Sequence, residues 1–325
     1  CILGYADKDD NIFYISNGLI PIRNDKYKWT GVLPGNTSET LWTEYYETKK
    51  LPQVLNPKSG YIYNANHSPF KSTSLEENPS PKDFSTNMGF ETFDNNRSTR
   101  IFELIESNET IDYETFKNIK YDNKFPIPFN YNFMDINELF NMIPDDYPDI
   151  KDLLIEIQNW NRTTDIESVG AGTYAMFYHN LVRYYNKSYI NRKFSKEVIH
   201  ENLKLVKKKM IKYFKTTKVK LGDYQKLVRG DKEIPIWGLP DVITAMNATP
   251  YKDGKIRVTH GESYIQMIKF NKTGTHIESS ISYGASDHEN SPHYSDQMEM
   301  YSKFETKKMS FDKSEIYANA SRTYN

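Results

Sequence analysis

Apolar side chains change their spacing twice along the chain. Over residues 1 to about 70 the spacing is short. "CILGYAD", a polar "KDDN" and "IFYISNG" read as two strands joined by a turn, and Pro21, Pro34 and Pro57 punctuate the remainder of this part. In this β-rich part "GYIYNANHSPF", residues 60–70, alternates like a strand and stops at a proline, yet it places Asn64, Asn66 and His67 where a strand normally carries apolar groups. Strand interiors disfavour asparagine, so a partner is expected to compensate for the lost propensity. From about 71 to 130 the chain opens with "SPFKSTSLEENPSPKDFST", a Ser/Pro-rich loop long enough to carry a function. Ile101, Leu104 and Ile105 in "NNRSTRIFELI" then share one face of a helix starting near Asn96.

Residues 131–230 have a mainly helical period. Leu153, Leu154, Ile157 and Trp160 form one stripe, with Pro148 acceptable in the first turn. Ala171, Ala175, Tyr178, Leu181, Val182 and Tyr185 form a second. Ile199, Leu203, Val206, Met210 and Phe214 form a third, behind Ser195 as N-cap. Lys204, Lys207, Lys208 and Lys212 lie opposite that third stripe and read as a solvated face rather than an anionic docking surface. In residues 231–325 the period returns to two. "KIRVTHG", "SYIQMIKF" and "GTHIESSISYG" predict a three-stranded antiparallel meander through the short turns "GES" and "NKTG".

Composition narrows the function classes. The net charge of −1 gives no global pull toward nucleic acid or membrane. No apolar run reaches the roughly eighteen residues of a membrane span, and no signal-peptide pattern opens the chain. With 25 tyrosines and 38% apolar residues, burial is expected to rest on rings that also need a hydrogen bond. Cys1 is the only cysteine, which excludes an internal disulfide and a cysteine metal cluster. It reads either as an N-terminal nucleophile beside its own α-amine or as the start of a strand at a fragment boundary. His260, His276, His288 and His293, with Asp287 and Asp296 nearby, raise a metal reading, but no HExxH-type helical pair occurs and no metal site is assigned. No GxGxxG or GxxxxGK[ST] motif supports nucleotide binding. The asparagines of "NANH" are either oxyanion donors, which need no proton transfer, or turn formers capping their own backbone.

"GYADKDDNIFYISNGLIPIR" resembles the "ADxxGNIxY…G…PxR" segment of the penicillin G acylase and acyl-homoserine lactone acylase family, in the Ntn-hydrolase superfamily. The likeness continues in family order through "WTGVLPGNTSETLW", "LPQVLNPKSGYIYNANHSPF", "NNRSTRIFELI", "LGDYQKLVRGDKEIPIWGLPD", "GESYIQMIKF" and "YGASDHENSPHYSDQMEMY". It covers nearly the whole chain and is weakest in the helical middle. The resemblance implies a precursor that cuts itself into α and β chains. The new N-terminal residue of the β chain attacks an amide, its own α-amine acting as base, and an acyl-enzyme forms and is hydrolysed. It implies that Asn66 donates to the oxyanion beside an upstream backbone N–H, and that Arg100, with Arg97 as fallback, supports the nucleophile region.

The resemblance also shows departures. The family's nucleophile lies far upstream of "YAD", so this chain reads as the C-terminal part of a β chain. Its expected partners are the α chain, the N-terminal part of the β chain and a small acyl amide substrate; alone it is expected to be inert. His67 stands where relatives commonly carry a second Asn. Ser291, His293 and Asp296 are close in sequence, but triads are defined by geometry, and the stretch reads as buried polar side chains tying the last strands to a terminal helix. No cofactor is required; some relatives bind a structural calcium, whose carboxylates do not match cleanly here. The implied fold is α+β, the four-layer αββα sandwich, with core strands from 1–70 and 255–285 and helices outside. The implied activity is hydrolysis of a penicillin-like or N-acyl homoserine lactone-like amide in the periplasm or outside the cell. A Cys1-dependent hydrolase and a non-catalytic binding protein are the rival readings.

Overall fold

The computed structural model describes residues 2–129, 131, 134–184, 192–272 and 274–322; Cys1 and Tyr185 lie outside the described residues. The chain forms two units, Cys1–Ser98 and Thr99–Asn325.

In the first unit, the two strands predicted at its start form as expected. β1 (Ile2–Ala6) and β2 (Ile12–Ser16) pair antiparallel with Leu3 opposite Ile15. Asp7 closes the hairpin by accepting the backbone N–H of Asp9 at 2.9 Å and of Asn11 at 3.0 Å on one carboxylate oxygen. β3 (Gln53–Leu55) pairs with β2, Val54 opposite Tyr14. Ile15, Leu51 and Met88 are buried together, with Phe84 and Phe90 packed on them. The Ser/Pro-rich stretch folds into short 3-10 turns at Pro81–Asp83 and Thr86–Met88, capped by the hydroxyls of Ser80 and Ser85. Helix α1 (Asn96–Glu106) spans the boundary between the units.

The second unit opens with α2 (Tyr113–Lys120) and continues through α3 (Glu138–Asn141) and α4 (Lys151–Gln158). α5 (Val169–Tyr184) packs against both α4 and α6 (Lys196–Phe214), and also against α7 (Leu221–Tyr224). All three predicted stripes face the core: Leu153, Leu154 and Ile157, then Ala171, Ala175 and Leu181, then Ile199, Leu203 and Val206 are buried. Ser195 caps α6 through its hydroxyl, as its position before the periodic run predicts. Pro148 is not in a first helical turn, because α4 starts only at Lys151. On the outer face Lys204 pairs with Glu201 and Lys207 with Asp152. Some rings meet the expected polar partners: Trp160 Nε1 donates to the Thr163 carbonyl at 2.7 Å, and the Tyr174 hydroxyl to that of Tyr131 at 3.1 Å. No helix among the described residues is long and apolar enough to cross a membrane.

Strands β4 (Met134–Asp135) and β5 (Arg192–Lys193) make a small parallel pair. A four-stranded sheet has the order β7-β6-β9-β8, built from β6 (Gln225–Arg229), β7 (Lys232–Pro235), β8 (Met246–Pro250) and β9 (Ile256–Gly261). A second sheet has the order β10-β11-β12, from β10 (Tyr264–Asn271), β11 (Gly274–Ile281) and β12 (Lys307–Met309). The predicted meander is thus corrected: β10 and β11 form a hairpin, but β9 belongs to the other sheet. Gly261 explains the break. Its φ of +153° favours glycine, a Cβ there would lie 2.3 Å from the Ala245 carbonyl oxygen, and the next N–H, of Glu262, donates to that same oxygen. Met246, Val258, Ile265 and Met267 from the two sheets share one apolar cluster with Met298 and Tyr301 of α8 (Met298–Ser302), and α9 (Lys313–Asn319) ends the described chain.

Gly172 tests the helix packing. In the middle of a helix, alanine is ordinarily preferred to glycine by about 1 kcal/mol. Here a Cβ would sit 2.0 Å from the Val219 carbonyl oxygen and 2.9 Å from the Leu221 nitrogen, both backbone atoms. Gly172→Ala is therefore expected to destabilise by about 1–3 kcal/mol, read from denaturant unfolding; stabilisation would refute this close approach.

Candidate functional site

Residues 60–68 form no strand. The alternation fails because the backbone turns at the asparagines. Asn64 Oδ1 accepts the Asn66 backbone N–H at 2.8 Å, an Asx turn, and Asn66 itself lies in the left-handed region at φ +56°. Asparagine tolerates that conformation better than most residues. Pro69 then opens a 3-10 turn (Pro69–Lys71) whose cap is Ser68, its hydroxyl accepting the Phe70 N–H at 3.3 Å. Beneath Asn64 lies the buried Tyr14, whose hydroxyl is pushed up to about 12, chiefly by burial.

His67 is 1% exposed and holds the turn from inside. Its Nδ1 faces the Ala65 backbone N–H at 3.1 Å and its Nε2 faces the Lys71 carbonyl at 2.7 Å. Only the neutral tautomer with its proton on Nε2 satisfies both, one nitrogen accepting and the other donating. Burial accordingly lowers its pKa, the Lys71 carbonyl opposing that shift. Tyr63 stacks on the ring at 4.9 Å between centroids.

Asn95 joins this turn to α1. Its Oδ1 accepts the Ser98 N–H at 2.9 Å while the Ser98 hydroxyl accepts the Asn95 N–H at 3.0 Å, a reciprocal N-terminal cap. The other end of the amide, Nδ2, donates to the carbonyls of Ala65 at 2.7 Å and Asn66 at 3.3 Å. Two residues further on, Arg97 Nη1 donates to Asn66 Oδ1 at 3.1 Å. Asn66 and Arg97 are therefore brought together. Arg100, one turn later, instead forms a two-pronged pair with Asp122, Nε to Oδ1 at 3.1 Å and Nη2 to Oδ2 at 2.8 Å, and reaches Glu103 at 3.3 Å. The Asp122 bond raises the Arg100 pKa. The sequence pattern does not single out Asn95 and Ser98, although a capping residue three positions before a hydroxyl, ahead of an apolar helix, is a recognisable start signal.

The other candidates separate. The His293 Nδ1 meets Asp296 Oδ2 at 2.8 Å, but the Ser291 hydroxyl accepts the His293 backbone N–H rather than facing the ring, so no triad forms. His293 is also exposed; buried Gln297 makes the expected tie, its Oε1 accepting the Ile281 N–H at 3.3 Å. His260 meets Thr259, His276 meets Glu278 and His288 lies by Asp287. Among the described residues no three His, Cys, Asp or Glu side chains gather into a metal-holding group.

His67 makes stability depend on pH in a defined window. The folded state keeps it neutral below the ordinary value of about 6.5, so the unfolded chain takes up the proton first. Its contribution is complete above that value and is lost as pH falls through the lower folded value. His179, pushed down to about 4 by burial, acts in the same direction. His67→Asn is expected to flatten, without abolishing, the fall in unfolding free energy between pH 7 and 5 (about the range in which histidine titrates). An unchanged slope in denaturant titrations would refute the buried neutral tautomer.

The comparisons with known proteins bear on this arrangement. A family model for penicillin amidase matches residues 3–318. The acyl-homoserine lactone acylase PvdQ of Pseudomonas fluorescens (strain Pf0-1) is 32% identical over 107 residues, which are 32% of this chain and 14% of that protein. PvdQ of Pseudomonas syringae pv. syringae (strain B728a) is 35% identical over 103 residues, 31% of this chain and 13% of that protein. The chain thus matches a small share of either relative's length. The structure of a thermostable penicillin G acylase from Alcaligenes faecalis superposes with a TM-score of 0.58 at 15% identity, covering 100% of this chain and 67% of that one. That identity carries the fold alone, a mixed α+β arrangement. With the family model running through both units, from β1 to α9, this chain belongs to the penicillin amidase family.

Proposed function

We propose that this chain is the C-terminal part of the β chain of an N-terminal-nucleophile amidohydrolase, with Asn66 as oxyanion donor and Arg97, rather than Arg100, as its positioning partner. The observation that carries the reading is the Arg97 contact to Asn66 Oδ1 at 3.1 Å. A guanidinium has donors and no acceptor, so the amide must face it with oxygen and turn its NH₂ away. That NH₂ is then available to a substrate oxygen.

In the proposed reaction, the nucleophile, supplied by the upstream part of the precursor, attacks the carbonyl carbon of a linear acyl amide. The carbonyl π pair moves onto oxygen, and Asn66 Nδ2–H donates to the resulting oxyanion. The nucleophile's proton passes to its own α-amine and from there to the leaving amine as collapse breaks the C–N bond, leaving an acyl-enzyme, which water hydrolyses to the carboxylic acid and the free nucleophile. Asn66 changes no protonation state in either half. Preorganisation is what such a donor contributes, and here the Asx turn, the Asn95 bonds and Arg97 hold residue 66 before any substrate arrives. The α chain and the N-terminal part of the β chain would supply the nucleophile, the backbone donor and the acyl pocket, completing a four-layer sandwich. The names of the similar proteins support a penicillin-like or N-acyl homoserine lactone-like amide as substrate; the proposed setting is periplasmic or extracellular.

The left-handed backbone at Asn66 decides which variant tests this. Alanine there would add about 1–2 kcal/mol of backbone strain, whereas glycine adopts φ +56° freely. In the complete processed protein, Asn66→Gly is expected to lower kcat by about 10²–10³-fold with the unfolding midpoint nearly kept. Arg97→Lys should lower kcat with little change in KM, and Arg100→Lys should act on stability rather than kcat. Normal turnover by Asn66→Gly would sink the assignment.

A further inference from the structure

The second unit contains a cavity of about 310 Å³ between α5, α6 and the turn joining β8 to β9. It is small for a ligand pocket and unusual in its charges. Arg183 of α5 and Lys209 of α6 both line it. Lys209 is anchored to the Asn180 side-chain oxygen, a neutral group that leaves the ammonium uncompensated. Arg183 has no ion pair among the described residues. Burial and the neighbouring Arg183, which is itself exposed, together lower the pKa of the half-buried Lys209, as expected for a cation set beside a second one.

The remaining charges on the lining do not cancel this pair. Lys255 is matched by Glu233, at 2.8 Å, which Lys252 also reaches at 3.2 Å. Asp253 is the one lining carboxylate, and it is exposed at the turn, in the left-handed region at φ +55°. His179, one turn before Arg183 on α5, adds a third group. Its Nε2 is buried and meets no hydrogen-bond partner among the described residues. A buried polar atom without a partner carries a penalty that a ligand can remove.

We propose that this cavity binds a small oxyanion, a carboxylate or a phosphate, held between Arg183 and Lys209 with His179 Nε2–H donating to one of its oxygens. Arginine suits such a ligand because its fork matches two oxygens at once. The small volume admits the anionic group with only a few attached atoms. The inference does not rest on the amidohydrolase reading, since every residue it uses belongs to the second unit and none takes part in the proposed hydrolysis.

Calorimetric titration of the intact protein with inorganic phosphate and, separately, with acetate tests it, at an ionic strength held constant with sodium chloride. Saturable one-to-one binding of at least one of them is expected. Arg183→Gln and Lys209→Gln should each weaken it by about ten-fold or more, equivalent to about 1.4 kcal/mol. Lys212→Gln, an exposed residue on α6 that does not line the cavity, should leave it unchanged. The stronger of the two probes assigns the source as phosphate or carboxylate. Absence of saturable heat, equal binding by the cavity variants, or an equal loss in Lys212→Gln would each overturn the site. Should Arg183→Gln fail to fold, Lys209→Gln gives the same reading.

Discussion

The amide of Asn95 is the joint on which the candidate site depends. Helix N-termini leave backbone N–H groups without intrahelical partners, and the Asn95 oxygen takes one of them, from Ser98. Its nitrogen meanwhile holds the Ala65 and Asn66 carbonyls. One side chain thereby fixes where α1 begins and where the Asn64–Asn66 turn lies against it. Arg97 comes at the second helical position, so its reach to Asn66 is a consequence of that register. A cation in the first turn of a helix is disfavoured by the helix dipole, by about 0.3–1 kcal/mol. Helix preference therefore does not account for an arginine there, whereas the contact to Asn66 does.

Much of the architecture was legible because it is periodic and locally signalled. The three helical stripes are buried as their spacing predicts, and Ser195 marks a start that its hydroxyl enforces. What failed was structure that depends on backbone conformations or distant partners. Alternation over residues 60–67 describes side-chain order, but one left-handed residue at Asn66 ends any strand. The spacing from β9 to β10 imitates a hairpin, yet Gly261 sends the chain from one sheet to another by docking on Ala245. Arg97 and Arg100 are three residues apart and indistinguishable by pattern. Asp122, outside α1 and 22 positions beyond Arg100, occupies one of them and so separates their contacts.

Composition was informative in a different way. An excess of tyrosine forecast a core whose rings need hydrogen bonds, and the second unit supplies some of them at long range, while the buried Tyr113 and Tyr121 hydroxyls find no hydrogen-bond partner among the described residues. The Tyr301 hydroxyl donates to the Glu262 carbonyl at 2.5 Å, and Trp237 Nε1 to the Ser302 carbonyl at 2.9 Å. Glu262 is the residue at which the chain changes sheets, so the same bond that satisfies a buried phenol also fixes the crossing. Polar satisfaction and topology are coupled there, and neither is visible in the local sequence.

In the proposed function residue 66 meets two demands of different origin, and asparagine is where they intersect. The turn needs a side chain that accepts a positive φ, which glycine, asparagine and aspartate do most readily. The proposed chemistry needs a neutral donor that gains strength as charge develops. Aspartate would bring a negative charge toward an oxyanion, and glycine would bring nothing. The turn alone explains an asparagine, so residue type cannot decide between a structural and a catalytic role. Orientation can. With Oδ1 against a permanently charged guanidinium, the amide is polarised toward oxygen and its N–H bonds become better donors. The NH₂ is fixed in direction before a substrate binds, and stabilising an oxyanion there requires neither proton transfer nor a rearrangement of the turn. A simple turn former has no need of that polarisation, which is why the contact favours the proposed donor role.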